Sequence, residues 1–139
     1  MADWIWISIE LAEAIHERQL AEHGGPSGVR DRGLLESALA RPRQLAAYGG
    51  VAVDAAALAS AYAFGLARNH PFIDGNKRTA AVVCEVFLEL NGYLLVAADA
   101  DLYPVFLALA EGNLTESQLA DWLRRHARPE TVSEPAAAY

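Results

Sequence analysis

His70-Pro71-Phe72-Ile73-Asp74-Gly75-Asn76-Lys77-Arg78 is the stretch on which the reading of this chain turns. Before it, Ala55 to Asn69 is an Ala-rich helical sequence. After it, Arg78 to Leu90 carries Ala80, Val83, Cys84, Phe87, Leu88 and Leu90 at three-to-four spacing, the stripe of a helix with one buried face. The nine residues are therefore a short loop between two helices, ending at the N-terminus of the second. Backbone N–H groups are unpaired there and the helix dipole favours negative charge. Lys77 and Arg78 stand at that already positive end, an unfavourable placement unless an anion offsets it. The geometry suits phosphate, with a candidate base, His70, four residues upstream of a carboxylate, Asp74. Gly75 allows close backbone approach. Taken alone, Asp74 reads as the N-cap of the second helix, and Phe72 as the residue that pins the loop inward.

Working outward, the chain has 139 residues, the size of one domain with an ordinary core. Just over half of it, 53%, is apolar, much of that alanine, and no run approaches the roughly 18 residues of a membrane span. Met1-Ala2-Asp3-Trp4 lacks the basic start of a secretory signal, so the expectation is a cytoplasmic protein without membrane contact. The one cysteine, Cys84, falls in the apolar stripe and reads as core. A net charge of −7 argues against direct nucleic-acid binding. The few cations are clustered, at Arg30, Arg32, Arg41, Arg43, Arg68, Lys77 and Arg78, as befits a compact anionic ligand.

Trp4 to Ile7 reads as a brief strand or an extended lead-in, and Ser8 as the cap of a helix from Ile9 to Glu22. His23-Gly24-Gly25-Pro26-Ser27-Gly28 breaks that helix and reads as a loop or flap. Asp31 caps a second helix over Arg32 to Arg41, ended by Pro42. Asp54 caps the Ala-rich helix, and Asn91-Gly92 stops the one after the loop. Leu94 to Val96 is a short extended piece, and Asp99 caps a helix to Glu111 that contains Pro104. Thr115-Glu116-Ser117-Gln118 fits a capping box for a last helix to Arg128. The expectation is an all-α domain over residues 1–128, built on a central helix–loop–helix, with a flexible tail at 129–139.

The run His70 to Arg78 resembles the signature loop of the Fic/Doc (Fido) family, and in particular the death-on-curing (Doc) toxins of toxin–antitoxin modules. Gly24-Gly25, Gly28-Val29-Arg30-Asp31, Leu34-Leu35-Glu36-Ser37-Ala38, Arg41-Pro42 and Asn91-Gly92-Tyr93 extend the resemblance over roughly residues 8–126. Adenylyl-transferring Fic enzymes carry Gly where this chain has Lys77, and a second Arg where it has Ala81. Both substitutions are those of the Doc branch. The resemblance implies a protein kinase that phosphorylates a Ser or Thr hydroxyl from ATP, with elongation factor Tu as the target, so blocking translation.

It also implies the roles. His70 is the base, and Asp74 holds Mg²⁺ or orients the base. Gly75, Asn76 and Lys77 cradle phosphate with their N–H groups, and Lys77 and Arg78 neutralise the transferred group. Arg68, two residues before the base, is a further phosphate contact or a solvated cation at a helix end. The Gly24–Gly28 flap would dock the target peptide by main-chain contacts, with Arg30 and Asp31 anchoring it. No inhibitory helix motif stands out, so inhibition is expected in trans from a small Phd-like antitoxin. Two alternatives stay open: an AMP transferase on the same scaffold, and a non-catalytic binding module.

Overall fold

The computed structural model describes residues 3–130, and for Val51 the backbone only. Six α-helices and one small sheet account for the described residues: α1 (Ile9–His23), α2 (Arg32–Tyr48), a 3-10 turn (Gly50–Ala52), α3 (Ala55–Asn69), α4 (Asn76–Leu90), β1 (Tyr93–Leu95), α5 (Asp99–Glu111), α6 (Glu116–His126) and β2 (Ala127–Pro129). The fold is all-α, as the helical spacing predicts. Among the described residues no helix is long and apolar enough to cross a membrane.

α3 is the centre of the molecule because its residues are small. Ala55, Ala56, Ala59, Ala61, Ala63, Gly65 and Ala67 are buried together with Leu58, Tyr62 and Leu66, so neighbours close on it from several sides. At Gly65 the approach of α2 is so tight that a Cβ would lie 3.1 Å from the Ala38 Cα. The buried polar groups of α3 are satisfied. Ser60 Oγ donates to the Glu116 carbonyl at the start of α6 (2.6 Å), and Tyr62 Oη accepts from Ile7 N–H (2.9 Å). α4 closes the other side with Ala80, Val83, Cys84, Phe87 and Leu88 buried on one face. Burial pushes the Cys84 thiol well up, which keeps it protonated and inert.

Several boundaries differ from the sequence expectation. Of the two readings of Trp4 to Ile7, the strand is the one that does not form; Asn91 holds the lead-in, its side chain accepting from Ile5 N–H (2.9 Å) and donating to Ile5 C=O (3.0 Å). α2 does not stop at Pro42 but runs through it to Tyr48. An internal proline costs about 3 kcal/mol, and here the face formed by Leu35, Ala38, Leu39 and Pro42, buried against α3, offsets it. Ala98, not Asp99, is the N-cap of α5, without a side-chain bond. α6 ends at His126, and residues 127–129 leave the helix to pair antiparallel with β1, Tyr93 opposite Pro129 and Leu95 opposite Ala127. Pro129 and Glu130, expected to open the tail, are held, with Glu130 N–H bonded to Gly92 C=O (2.8 Å). The rest of that tail, 131–139, lies outside the described residues.

Candidate active site

α3 ends in a conformation that few side chains adopt. His70 caps it with φ 50° and ψ 54°, the left-handed region, and is the one non-glycine with positive φ among the described residues. That turn projects the imidazole from the end of the helix. Arg30 holds it there. Its Nε donates to His70 C=O (2.7 Å) and its Nη2 to Asn69 C=O (2.9 Å), satisfying carbonyls that the helix end leaves open. The backbone around Arg30 is tied to the same loop. Arg30 and Asp31 N–H both bond Pro71 C=O (2.7 and 3.0 Å), Ile73 N–H bonds Gly28 C=O (3.1 Å), and Val29 faces Phe72 in a single antiparallel bridge. The base of the flap and the loop are one hydrogen-bonded unit.

Inside the loop, Asn76 is the hub. Its Oδ1 accepts from Phe72 N–H and its Nδ2 donates to Phe72 C=O, both at 3.0 Å. The same Nδ2 lies 3.4 Å from His70 Nδ1, at the long end of hydrogen-bond range, a contact in which the amide can only donate. Asn76 is 6% exposed; with its side chain engaged in the loop, only its backbone N–H remains for a ligand. Phe72 is buried as predicted, and His16 of α1 stacks on it.

Asp74 is not the N-cap of α4. Gly75 takes that position at φ 78°, with no side-chain capping bond. The left-handed turn at Gly75 carries Asp74 out of capping range, so its carboxylate is exposed beside the flap, where a Cβ on Gly25 would meet Oδ2 at 2.6 Å. Gly25 is therefore the residue that fits against it. The first turn of α4 holds Lys77 and Arg78 and no acidic side chain. Neither cation forms an ion pair with a described residue.

These groups share one cleft of about 490 Å³. His70, Ile73, Asp74, Gly75, Asn76, Lys77 and Arg78 form its floor, and Gln19 and His23 of α1 one wall. Ala81 and Val82 of α4, with Asp99, Leu102, Tyr103, Phe106 and Leu107 of α5, form the other. A turn further along α4, Glu85 is half-buried, and burial first, then Glu89 and Asp99, raise its carboxyl above the usual range.

The other predicted cations do not converge on this cleft. Arg68 lies over the Phe64 ring (5.7 Å) and against Gly112, outside the cleft lining. Arg32 pairs with Glu13 and Glu36, Arg41 with Glu116, and Arg43 covers Trp6. Sequence reading missed His16 and the α5 wall. A histidine on the inner face of α1, amid solvated Glu17 and Arg18, was the available signal for the first. Nothing local marks α5 as a wall, since tertiary packing alone brings it there.

The chain belongs to the Fic/DOC family, whose sequence model matches residues 6–88. It is similar to the "Protein kinase doc" of Escherichia phage P1, 34% identical over 119 residues, covering 86% of this chain and 93% of that protein. It is also similar to the "Toxin Doc" of Mycolicibacterium smegmatis, 49% identical over 83 residues, covering 57% of this chain and 60% of that protein. Within the family it is thus of the Doc type.

Proposed function

We propose that this protein is a toxin of a toxin–antitoxin module that transfers a phosphoryl group from ATP to a Ser or Thr hydroxyl of a protein, with elongation factor Tu as the target. The observation that carries the reading is the uncapped, doubly cationic N-terminus of α4 in one cleft with an exposed imidazole and an exposed carboxylate. His70 accepts the hydroxyl proton. The N–H groups of Gly75, Asn76 and Lys77 hold phosphate oxygens, and Lys77 and Arg78 neutralise the charge that develops during transfer. The names of the two relatives, one a kinase and both Doc, support this choice of chemistry.

The residues fit Mg²⁺ in a particular way. Among the described residues no three His, Cys, Asp or Glu side chains gather as a metal cage. One carboxylate with substrate phosphates and water is a common magnesium environment, and Asp74 offers that carboxylate. Bound there, Mg²⁺ would offset negative charge on the phosphates. Lys77 and Ala81 line the cleft where a small residue and a second arginine would serve adenylyl transfer. The lysine fills part of that anion hole and the alanine removes a clamp, which favours presentation of the γ-phosphate. Inhibition comes in trans, from a small Phd-like antitoxin.

The direct test is incubation with elongation factor Tu, Mg²⁺ and ATP, followed by intact mass of the products. A phosphate-sized gain, lost with His70→Ala, is the expected result. An adenylyl-sized gain would overturn the argument from Lys77 and Ala81. No gain on elongation factor Tu, with a labelled phosphoprotein found in lysate, would correct the target alone.

A further inference from the structure

We propose that His16 is a positioning residue of the anion site: from within α1 it fixes the peptide between Asp74 and Gly75 so that the Gly75 N–H faces the cleft. The proposal rests on the reading of the α4 N-terminus as a phosphate site. His16 is 1% exposed, although its neighbours Glu17 and Arg18 are solvated. Its ring lies face to face with Phe72, centroids 3.8 Å apart and planes 8° from parallel. Its Nε2 is 2.8 Å from the Asp74 carbonyl oxygen.

A carbonyl oxygen only accepts, so Nε2 carries a proton whatever the state of the rest of the ring. The other nitrogen, Nδ1, is 3.8 Å from the exposed Glu17 carboxylate, beyond hydrogen-bond range. The stack on Phe72 sets the plane of the imidazole, and the plane sets the direction of Nε2–H. His16 thus presents a fixed, buried donor to one chosen carbonyl.

The consequence follows from the peptide itself. In a planar trans peptide the C=O of one residue and the N–H of the next point in opposite directions, and the chain has no cis bond among the described residues. Drawing the Asp74 C=O toward α1 turns the Gly75 N–H to the other side. Gly75 lines the cleft, and its N–H meets no acceptor among the described residues. A lock is needed because this peptide precedes glycine. Glycine tolerates both signs of φ, so the 74–75 peptide could rotate at little steric cost and present its carbonyl to the anion instead. That rotation would replace attraction by repulsion at the position where phosphate oxygens are to be held. His16 touches no substrate in this scheme and acts through the backbone.

Two variants separate this role from mere packing. His16→Phe keeps an aromatic ring on Phe72 and deletes the donor; His16→Gln gives up the stack but returns an amide N–H of similar reach. Binding of MgATP and of orthophosphate is measured by calorimetry, and the Gly75 amide and the His16 ring nitrogens by ¹⁵N NMR. The expected result has three parts. The wild-type Nε2 proton is protected from exchange. His16→Phe weakens both ligands by about tenfold or more and displaces the Gly75 amide resonance. His16→Gln restores most of the affinity.

A folded His16→Phe protein with unchanged affinity and an unmoved Gly75 amide would overturn the proposal, as would a ring protonated on Nδ1 alone. Should His16→Phe fail to fold, a His16→Gln protein that folds but does not bind would overturn it equally. Wild-type protein that binds neither ligand, yet shows the protected Nε2 proton and a Gly75 amide displaced in His16→Phe, would overturn the phosphate reading while supporting the assignment of His16 to this peptide.

Discussion

The N-termini of α3 and α4 belong to one helical hairpin and are finished in opposite ways. At the start of α3, Asp54 accepts from Ala57 N–H (3.0 Å) and grips Arg124 through both carboxylate oxygens (2.6 and 2.8 Å). That grip, ahead of the cap bond itself, holds the Asp54 carboxyl below the usual range. At the start of α4 stands Gly75, with no side-chain cap and two cations in the turn that follows. α5 also lacks a side-chain cap, but Asp99 and Asp101 in its first turn answer its dipole. Neither feature alone distinguishes α4, since α2 also opens on a cation, Arg32, behind its Asp31 cap; among the described helices α4 is the one that joins the lack of a side-chain cap to positive charge in its first turn. One terminus contributes to stability by satisfying its own N–H groups. The other leaves them, and the charge beside them, without a partner among the described residues.

The strongest way to break this contrast is Arg78→Ala. If the cation serves the transferred phosphate, transfer falls by about 100-fold or more. Stability at the same time stays level or rises by about 0.3–1 kcal/mol, because a positive charge leaves the positive end of a helix. Single-turnover transfer rates and thermal melts on the same samples read both. A variant that loses stability and activity together would make Arg78 a structural residue, and the two termini would no longer differ in kind.

Asp54→Ala sharpens the other half. Loss of the cap costs about 1–2 kcal/mol, and the half-exposed pair with Arg124 adds little after screening. MgATP affinity is expected to stay at the wild-type level, since Asp54 lies far along α3 from His70. The pH sign is fixed by the lowered carboxyl. Its share of stability is present above the ordinary carboxylate range and disappears as pH falls through the lowered folded-state value. Urea midpoints of wild type and variant should therefore converge toward acid. A gap of constant size would mean that the ionised form contributes nothing beyond the neutral side chain.

How much of this was legible in the sequence depended on whether the cause was local. Ser8, Asp31, Asp54 and Thr115 cap their helices as read, and Thr115 with Gln118 forms the full capping box, because caps depend on a few adjacent residues. The loop was legible for the same reason: nine consecutive residues carry its chemistry. What was misread had causes elsewhere in the chain. Pro42 sits inside α2 because α3 buries that face, and residues 127–129 form a strand because β1 waits for them. Asp74 lost its expected capping role to the left-handed turn at Gly75, which the sequence permits but does not require. His16 acts on the loop from 58 residues away in sequence, a distance that spacing rules do not reach, whereas Arg30, expected as an anchor of the flap, does tie the flap to the end of α3.

The far end of α4 inverts the usual pattern as well, and gives the smallest expected effect. Glu85 and Glu89 are like charges at i and i+4 toward the negative end of the helix, with Asp99 nearby. Burial and these two neighbours raise Glu85 above the usual carboxyl range, so the folded state takes up a proton more readily than the unfolded chain. Any stability from that uptake is present below the ordinary range and lost as pH rises through the raised value; at neutral pH the ionised carboxylate is a cost. Glu85→Gln keeps the shape and removes the charge. We expect it to stabilise the protein by about 0.5 kcal/mol at neutral pH, with the gain fading as the pH is lowered and phosphoryl transfer unchanged. Denaturant midpoints across that pH range, beside transfer rates, decide it. If the midpoint falls at neutral pH, the acid end of α4 is held by a favourable contact rather than tolerated. If transfer falls while the midpoint rises, this end of the helix belongs to the site after all, and the boundary between the stabilising and the binding parts of α4 moves a turn further along it.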